Sequence, residues 1–536
     1  MALKKMFLIL MISAVAVSGF AGGSGDGSSG GSAKPVEFKV GLLGDIQTLN
    51  FWASNDINMS AIMEAVMPRF GFMDTDGMIK PHLFTDIEIK DNSKTFILHV
   101  KPGLKWHDGT PFTAHDVVFT GEYLMEYKLF QNTRYSNVAS ARAIDDLTVE
   151  YKLNNPQTGF MDVIMYWVSP VPKHIFEKVT DPMNFNYEST GVVGLGPFKM
   201  SEWKKGEYYI ADRNPDWPAD MGTPKLERLI YRVYKDENSL ALALKTGEID
   251  TAARHVLPSV ANQFRNDRNF SLFEMQSPGY AYMGFNGEKS EFAADPAVRR
   301  AIAMCVDRPK IVRLALEGNG IPMPGSVSPI YKEFTSSNIN YPAFDIEAAK
   351  RALANAGYAD TNGDGIVEKN GKKLSLRIMY EGARSDYDRS VRVIKEDAAK
   401  AGIELILDPV DRQVYMDRQN RTKEYEMMFV QWGAIVVIYD SFYNLYGKDA
   451  YLNYANFYDP NLEKWAKAAK ESPSIPDTIK PMEEAQKVVV DLCPTIGVWV
   501  PNLIYVNSAK FDGYIPYYFS FNGTLTMGSL INISPK

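Results

Sequence analysis

Cysteine and histidine are both scarce in this chain of 536 residues, and each scarcity closes off a class of function. The two cysteines, Cys305 and Cys493, cannot make a disulfide framework. Val298, Ala301, Ile302 and Cys305 fall on one face at helical spacing, which makes Cys305 a core thiol; a bridge to Cys493 is conceivable in an oxidising compartment, but spacing cannot show proximity. None of the six histidines (His82, His99, His107, His115, His174 and His255) pairs closely with a second histidine or a cysteine as a zinc or nickel site requires. His107 and His115 are read as surface or capping residues. No phosphate-binding Gly-x-x-x-x-Gly-Lys is present, and Gly191 to Gly196 lacks the dinucleotide spacing. The single Gly-x-Ser-x-Gly match, Gly27 to Gly31, lies in a Gly/Ser stretch with no strand before it or helix after it, so it is not a nucleophile elbow. No catalytic residue and no cofactor site is legible.

Clustered positive charge is missing as well. Lys and Arg number 58 against 65 Asp and Glu, for a net charge of −7, and no basic block stands out, which argues against nucleic acid as a partner. No apolar run, Met6 to Val17 included, is long enough to span a bilayer.

What is present is the composition of a large globular protein, 45% hydrophobic and 23% charged, long enough to bury more than one core. Lys4 and Lys5 followed by the apolar run Met6 to Val17 read as a secretory signal over residues 1–21, and residues 22–35 read as a Gly/Ser tether. Export to the periplasm or cell surface follows. Ala14-Val15-Ala16 offers a cleavage site for a free form, while the tether looks like that of an anchored one. From Glu37 onward, short alternating strands and capped helices intersperse, the pattern of an α/β chain. Thr95 to Val100 alternates as a half-buried strand, Asp108-Gly109 makes a turn, and Thr113 with Asp116 forms a capping box that opens a helix.

Asp360, Asn362 and Asp364 with Gly365 occupy positions one, three, five and six of an EF-hand-like loop, and Glu368 could serve at nine. Position twelve is Gly371 rather than a bidentate Glu. The loop is therefore a weak calcium candidate, and a DG-rich hairpin before the strand Leu374 to Ile378 is the preferred reading.

Several segments in register resemble one family. Leu104 to Thr120 (LKWHDGTPFTAHDVVFT), Thr48-Leu49-Asn50, Gly194 to Phe198, Arg213 to Trp217, Leu244 to Asp250, Gly284-Phe285-Asn286 and Asp295 to Val312 are similar, in order, to the signature blocks of family 5 extracellular solute-binding proteins. These are the peptide-binding and nickel-binding subunits of ATP-binding cassette importers. The resemblance implies a two-lobed periplasmic-binding-protein fold with a hinge and an extra N-terminal subdomain over about 55–190. It also implies lobe one over 36–285, lobe two over 286–498, and a C-terminal return over 499–536. It implies a monomer that carries an oligopeptide or dipeptide to permease subunits driven by a separate ATPase, with an oligosaccharide as the alternative ligand. An exported enzyme is the rival from another class, and no nucleophile–base pair supports it. Family lipoproteins carry Val-Ser-Gly-Cys where this chain has Val17-Ser18-Gly19-Phe20, which leaves lipid anchoring open.

The resemblance places ligand contacts at Thr48, Asn50, Phe285, Asn286, Trp432, Gly433 and Ala434, with backbone groups of Gly433, Ala434 and the Thr48–Asn50 loop pairing to an extended ligand. Peptide-binding relatives follow Trp-x-Ala with an Asp that meets the peptide ammonium. Here Ile435 replaces it. Asp440, five residues on, is either the substitute carboxylate or a strand end. A missing carboxylate favours neutral ligands, because a buried ammonium without a counter-ion is costly.

Overall fold

The computed structural model describes residues 35–536 except 47, 55, 76, 186, 188–190, 434, 449, 451 and 518–521. The signal and tether readings, and Ala434, lie outside the described residues.

One long strand organises the molecule. Thr495–Ser508 belongs to a 12-stranded sheet and has different neighbours along its two halves. Its first half pairs antiparallel with Ala281–Phe285, and its second half pairs with Phe270–Gln276 from Asn502 to Ser508. Fourteen residues at about 3.4 Å each give such a strand a length of about 48 Å, enough to serve two cores. Beyond Ala281–Phe285 the sheet continues through Met427–Gln431, Ser375–Glu381 and Glu404–Val410. In the other direction it continues through Thr251–Ala252, Glu37–Leu43, Arg228–Tyr234, Tyr208–Arg213 and Phe198–Lys204.

The two halves bury separate apolar clusters. One gathers Val40, Phe70, Phe96, Trp106, Phe160 and Tyr231; the other gathers Tyr282, Ile302, Ile378, Phe429, Phe442 and Trp499. A smaller cluster of Leu240, Leu244, Ile249 and Phe264 packs on Ile504 and Val506. Helix Phe160–Trp167 touches both large clusters: Phe160, Met161, Ile164 and Met165 pack into the first, and Val163 into the second. Between the halves, residues 277–280 and 500–502 run side by side, with Ser277 N–H donating to Pro501 O at 2.9 Å.

Local readings translate directly. Strand Thr95–Val100 forms in a four-stranded sheet, and helix Ala114–Glu126 starts at Thr113 with both capping-box bonds made. Cys305 and Cys493 are buried, free thiols. Residues 368–373 form a two-stranded hairpin with Gly371 at φ +73° in its turn. His107 departs from its surface reading: it is half-buried, accepts from Gly194 N–H through Nδ1 at 3.1 Å and meets Gly196 O through Nε2 at 3.0 Å. An accepting Nδ1 leaves the proton on Nε2, so the ring is neutral, and burial holds its pKa down at about 4. The same Gly194–Gly196 turn packs so tightly on helix Ile57–Val66 that a Cβ on Gly194 would sit 2.0 Å from Val66 O. Among the described residues, no helix is long and apolar enough to cross a membrane.

Candidate functional site

Where strand Met427–Gln431 ends, the chain turns across residues 432–437 into helix Ile438–Tyr446, and this corner lies against the 277–280 crossing. The approach needs Gly279, whose added Cβ would stand 1.8 Å from Trp432 O, and Trp432 N–H donates to Tyr280 O at 3.0 Å. The Trp432 ring is half-buried between two tyrosines. It stacks on Tyr282 at 5.7 Å and on Tyr454 at 5.0 Å, with interplanar angles of 14° and 15°. Tyr280, Leu445, Tyr446 and Thr495 complete a small aromatic cavity beside it. The chain's own rings thus cover part of Trp432. Gly433 is exposed, with open space where a Cβ would stand.

Asp440 is 2% exposed, and its oxygens already have partners. Gln157 Nε2 donates to Oδ1 at 2.8 Å and Asn444 Nδ2 to Oδ2 at 3.0 Å. The cations of Arg134 and Lys470 stand 3.8 and 3.9 Å away. Two of these partners, Arg134 and Gln157, come from the segment 55–190. Around them Thr158 N–H donates to Ser472 O, and Ser93 Oγ donates to Pro473 O. Gly159 approaches the Tyr439 ring so closely that a Cβ would lie 2.7 Å from it. The result is a polar seam between residues 93–163 and 437–473, with a carboxylate between two cations at its centre.

The other sequence-predicted positions do not converge on this corner. Asn50 is buried and donates to Pro182 O, while its Oδ1 accepts from Trp52 N–H, and Thr48 Oγ1 accepts from Asn50 N–H. Phe285 lies in the second core, and Asn286 holds Lys423 O and Glu288 N–H. Register sets Ala281 opposite Gln431 but Phe285 opposite Met427, so Asn286 is about 17 Å of strand away from the Trp432 end.

In the Asp360 loop, Asp360, Asp364 and Glu368 bring carboxylate oxygens within 4.8 Å of one another. Those oxygens accept from Gly363, Gly365, Ile366 and Thr361 N–H groups, and Asp364 pairs with Lys373 while Asn362 donates to Glu368. The hairpin's own donors stabilise the acidic turn.

Sequence reasoning missed two charged residues near the seam and the crossing. Asp162, in the first turn of helix Phe160–Trp167, makes no hydrogen bond or ion pair among the described residues, and burial pushes its carboxyl up to about 6. Arg254, just past strand Thr251–Ala252, likewise has no such partner among the described residues. Burial and the charge of Arg384 lower its pKa. Neither sits in a recognisable motif, so no sequence signal pointed to them.

This arrangement, two α/β cores sharing one long strand with a junction built from both, is the fold of periplasmic binding proteins. It superposes with a TM-score of 0.79 on the oligopeptide-binding protein AppA of Bacillus subtilis in complex with a nonapeptide, at 24% identity over 94% of this chain and all of that one (100%). A mannohexaose-bound periplasmic oligopeptide-binding protein of Thermotoga maritima superposes with the same TM-score, 0.79, at 21% identity over 94% and 99% of the two chains. In sequence, AppA of Bacillus subtilis (strain 168) is 27% identical over 526 residues, 95% of each protein. Residues 78–453 match the bacterial extracellular solute-binding proteins, family 5, and the chain belongs to that family.

Proposed function

We propose that this protein is the exported, monomeric binding subunit of an ATP-binding cassette importer, not an enzyme, and that it captures oligopeptides or dipeptides between two lobes for delivery to a permease with a separate ATPase. Family membership together with similarity to AppA over 95% of the chain carries the reading. The two apolar clusters support a lobe one and a lobe two, with the crossings at 277–280 and 500–502 as the hinge, a few residues before the Phe285–Asn286 boundary that the motifs imply. On this reading the Asp440 seam is a closed-state contact between the subdomain over about 55–190 and lobe two. Ligand affinity then reports the difference between open and closed forms.

The second reading is a neutral oligosaccharide ligand, favoured by Ile435 in place of the ammonium-binding Asp and by the mannohexaose-bound relative. Mass spectrometry of whatever co-purifies with the protein, followed by small-angle scattering with and without it, tests both. A peptide and a contraction are expected. A bound sugar would replace the peptide reading, and a ligand that leaves the scattering profile unchanged would remove the closure reading.

A further inference from the structure

Among the described residues, two groups bring three metal-binding atoms within 4.8 Å of one another. The carboxylates of the Asp360 loop already accept from backbone N–H groups and pair with Lys373. The second group, Asp86, Glu88 and His99, stands on strands rather than in a turn and includes an imidazole.

Its geometry comes from the four-stranded sheet. Phe84–Lys90 is an edge strand of that sheet and pairs antiparallel with Thr95–Val100. In the latter strand Phe96, Leu98 and Val100 belong to the first core, so His99 points away from it. Ile87 packs on the same core, which turns Asp86 and Glu88 to the side that His99 occupies. A bulge between Phe84 and Asp86 shifts the register and sets Asp86 directly opposite His99, with Glu88 two residues along. Three side chains from two hydrogen-bonded strands therefore share one patch, and the ladder fixes their spacing.

Their contacts are uneven. His99 Nε2 lies 3.0 Å from Glu88 Oε1, and Lys90 Nζ lies 2.7 Å from Glu88 Oε2, so that carboxylate is held from both sides. The Asp86 carboxylate makes no hydrogen bond or ion pair among the described residues, although it lies within 4.8 Å of both the others. Two neighbouring carboxylates repel, and Lys90 answers only one of them. A tetrahedral ion with bonds of about 2.1 Å spaces its ligand atoms about 3.4 Å apart, so small rotations of these partly exposed side chains bring the three to that spacing. An imidazole with two carboxylates suits zinc, whereas magnesium and calcium take oxygen ligands.

We propose that Asp86, Glu88 Oε1 and His99 Nε2 bind one zinc ion, with water in the fourth position, and that the ion clamps the edge strand Phe84–Lys90 to its neighbour. The imidazole turns its Nε2 lone pair to the ion and carries its proton on Nδ1, while Lys90 stays on Glu88 Oε2 and orients the carboxylate. With no thiolate among its ligands the site is weaker than a zinc finger, at about micromolar affinity, and fills only when zinc is supplied. The assignment does not depend on which ligand the protein carries.

The test uses the full mature protein, passed over a chelating resin and titrated with zinc chloride by calorimetry, with magnesium chloride as the control. One zinc equivalent at about micromolar affinity is expected, weakened about tenfold or more in His99→Gln and in Asp86→Asn. His115→Gln, at an exposed histidine 3.5 Å from Asp146, should leave it unchanged. Asp86→Asn alters an exposed side chain without a partner, so its loss of zinc is not a folding defect, and circular dichroism without zinc checks all three variants. X-ray absorption of the loaded protein should show nitrogen and oxygen ligands and no sulfur. No zinc binding below about 1 mM, equal affinity for magnesium, or zinc binding indifferent to either His99→Gln or Asp86→Asn would overturn the site.

Discussion

Asp440 and Arg254 are both charged, yet the chain treats them oppositely: Asp440 is buried and Arg254 only half-buried. Asp440 receives two hydrogen bonds and stands between two cations. Arg254 receives nothing among the described residues. A fully partnered charge at the junction of two cores holds those cores in one arrangement. Arg254, without such bonds, joins no distant segments. The difference separates a charge built into the contact between distant segments from one that ties none together.

The comparison breaks most visibly at Asp440. Asp440→Ala should cost about 3–5 kcal/mol of stability in urea unfolding, because Arg134 and Lys470 are left without their anion. A loss below about 1 kcal/mol would mean that water replaces the carboxylate and the seam is not a latch.

Acid should weaken the paired scaffold next. His107, neutral with a folded pKa of about 4, titrates near 6.5 when unfolded, so its contribution is complete above pH 6.5 and is lost as pH falls toward 4, up to about 3 kcal/mol. His107→Gln should flatten that part of the pH–stability curve. Asp162 has the opposite sign: its folded pKa is raised to about 6, so its contribution is present below pH 3.8 and is lost as pH rises to 6. Asp162→Asn should therefore stabilise the ligand-free protein at neutral pH.

Trp432→Ala removes a ring stacked on Tyr282 and Tyr454 and should cost about 2–3 kcal/mol of stability, with weakened binding as the consequence; Trp432→Phe should recover most of it. The smallest effect is expected at the Asp360 loop. There a chelator should leave the melting temperature unchanged, because backbone N–H groups and Lys373 already hold the carboxylates. A fall restored by calcium but not by magnesium would show a true metal site.

Much of the local architecture was legible because its causes are local. The Thr113–Asp116 capping box and strand Thr95–Val100 depend on residues a few positions apart and form where read, although the strand is buried on both faces rather than half-buried, and the hairpin before Leu374 turns at Asn370-Gly371 rather than at the DG pair. His107 was misread because its partners, Gly194 and Gly196, lie about 90 residues away along the chain. Asp440 was singled out as an acid after the Trp432 turn, but that it faces protein is decided by Arg134 and Gln157, roughly 300 positions earlier.

By itself, the sequence determined the family, the α/β class and the placement of turns and helix starts, because motifs and periodicities are short-range properties of a chain. Only the tertiary structure decided which charges are already satisfied. That depends on which distant segments the sheet brings together around one long strand, and Asp440 does not differ in sequence from a solvated surface charge until the fold removes water from around it.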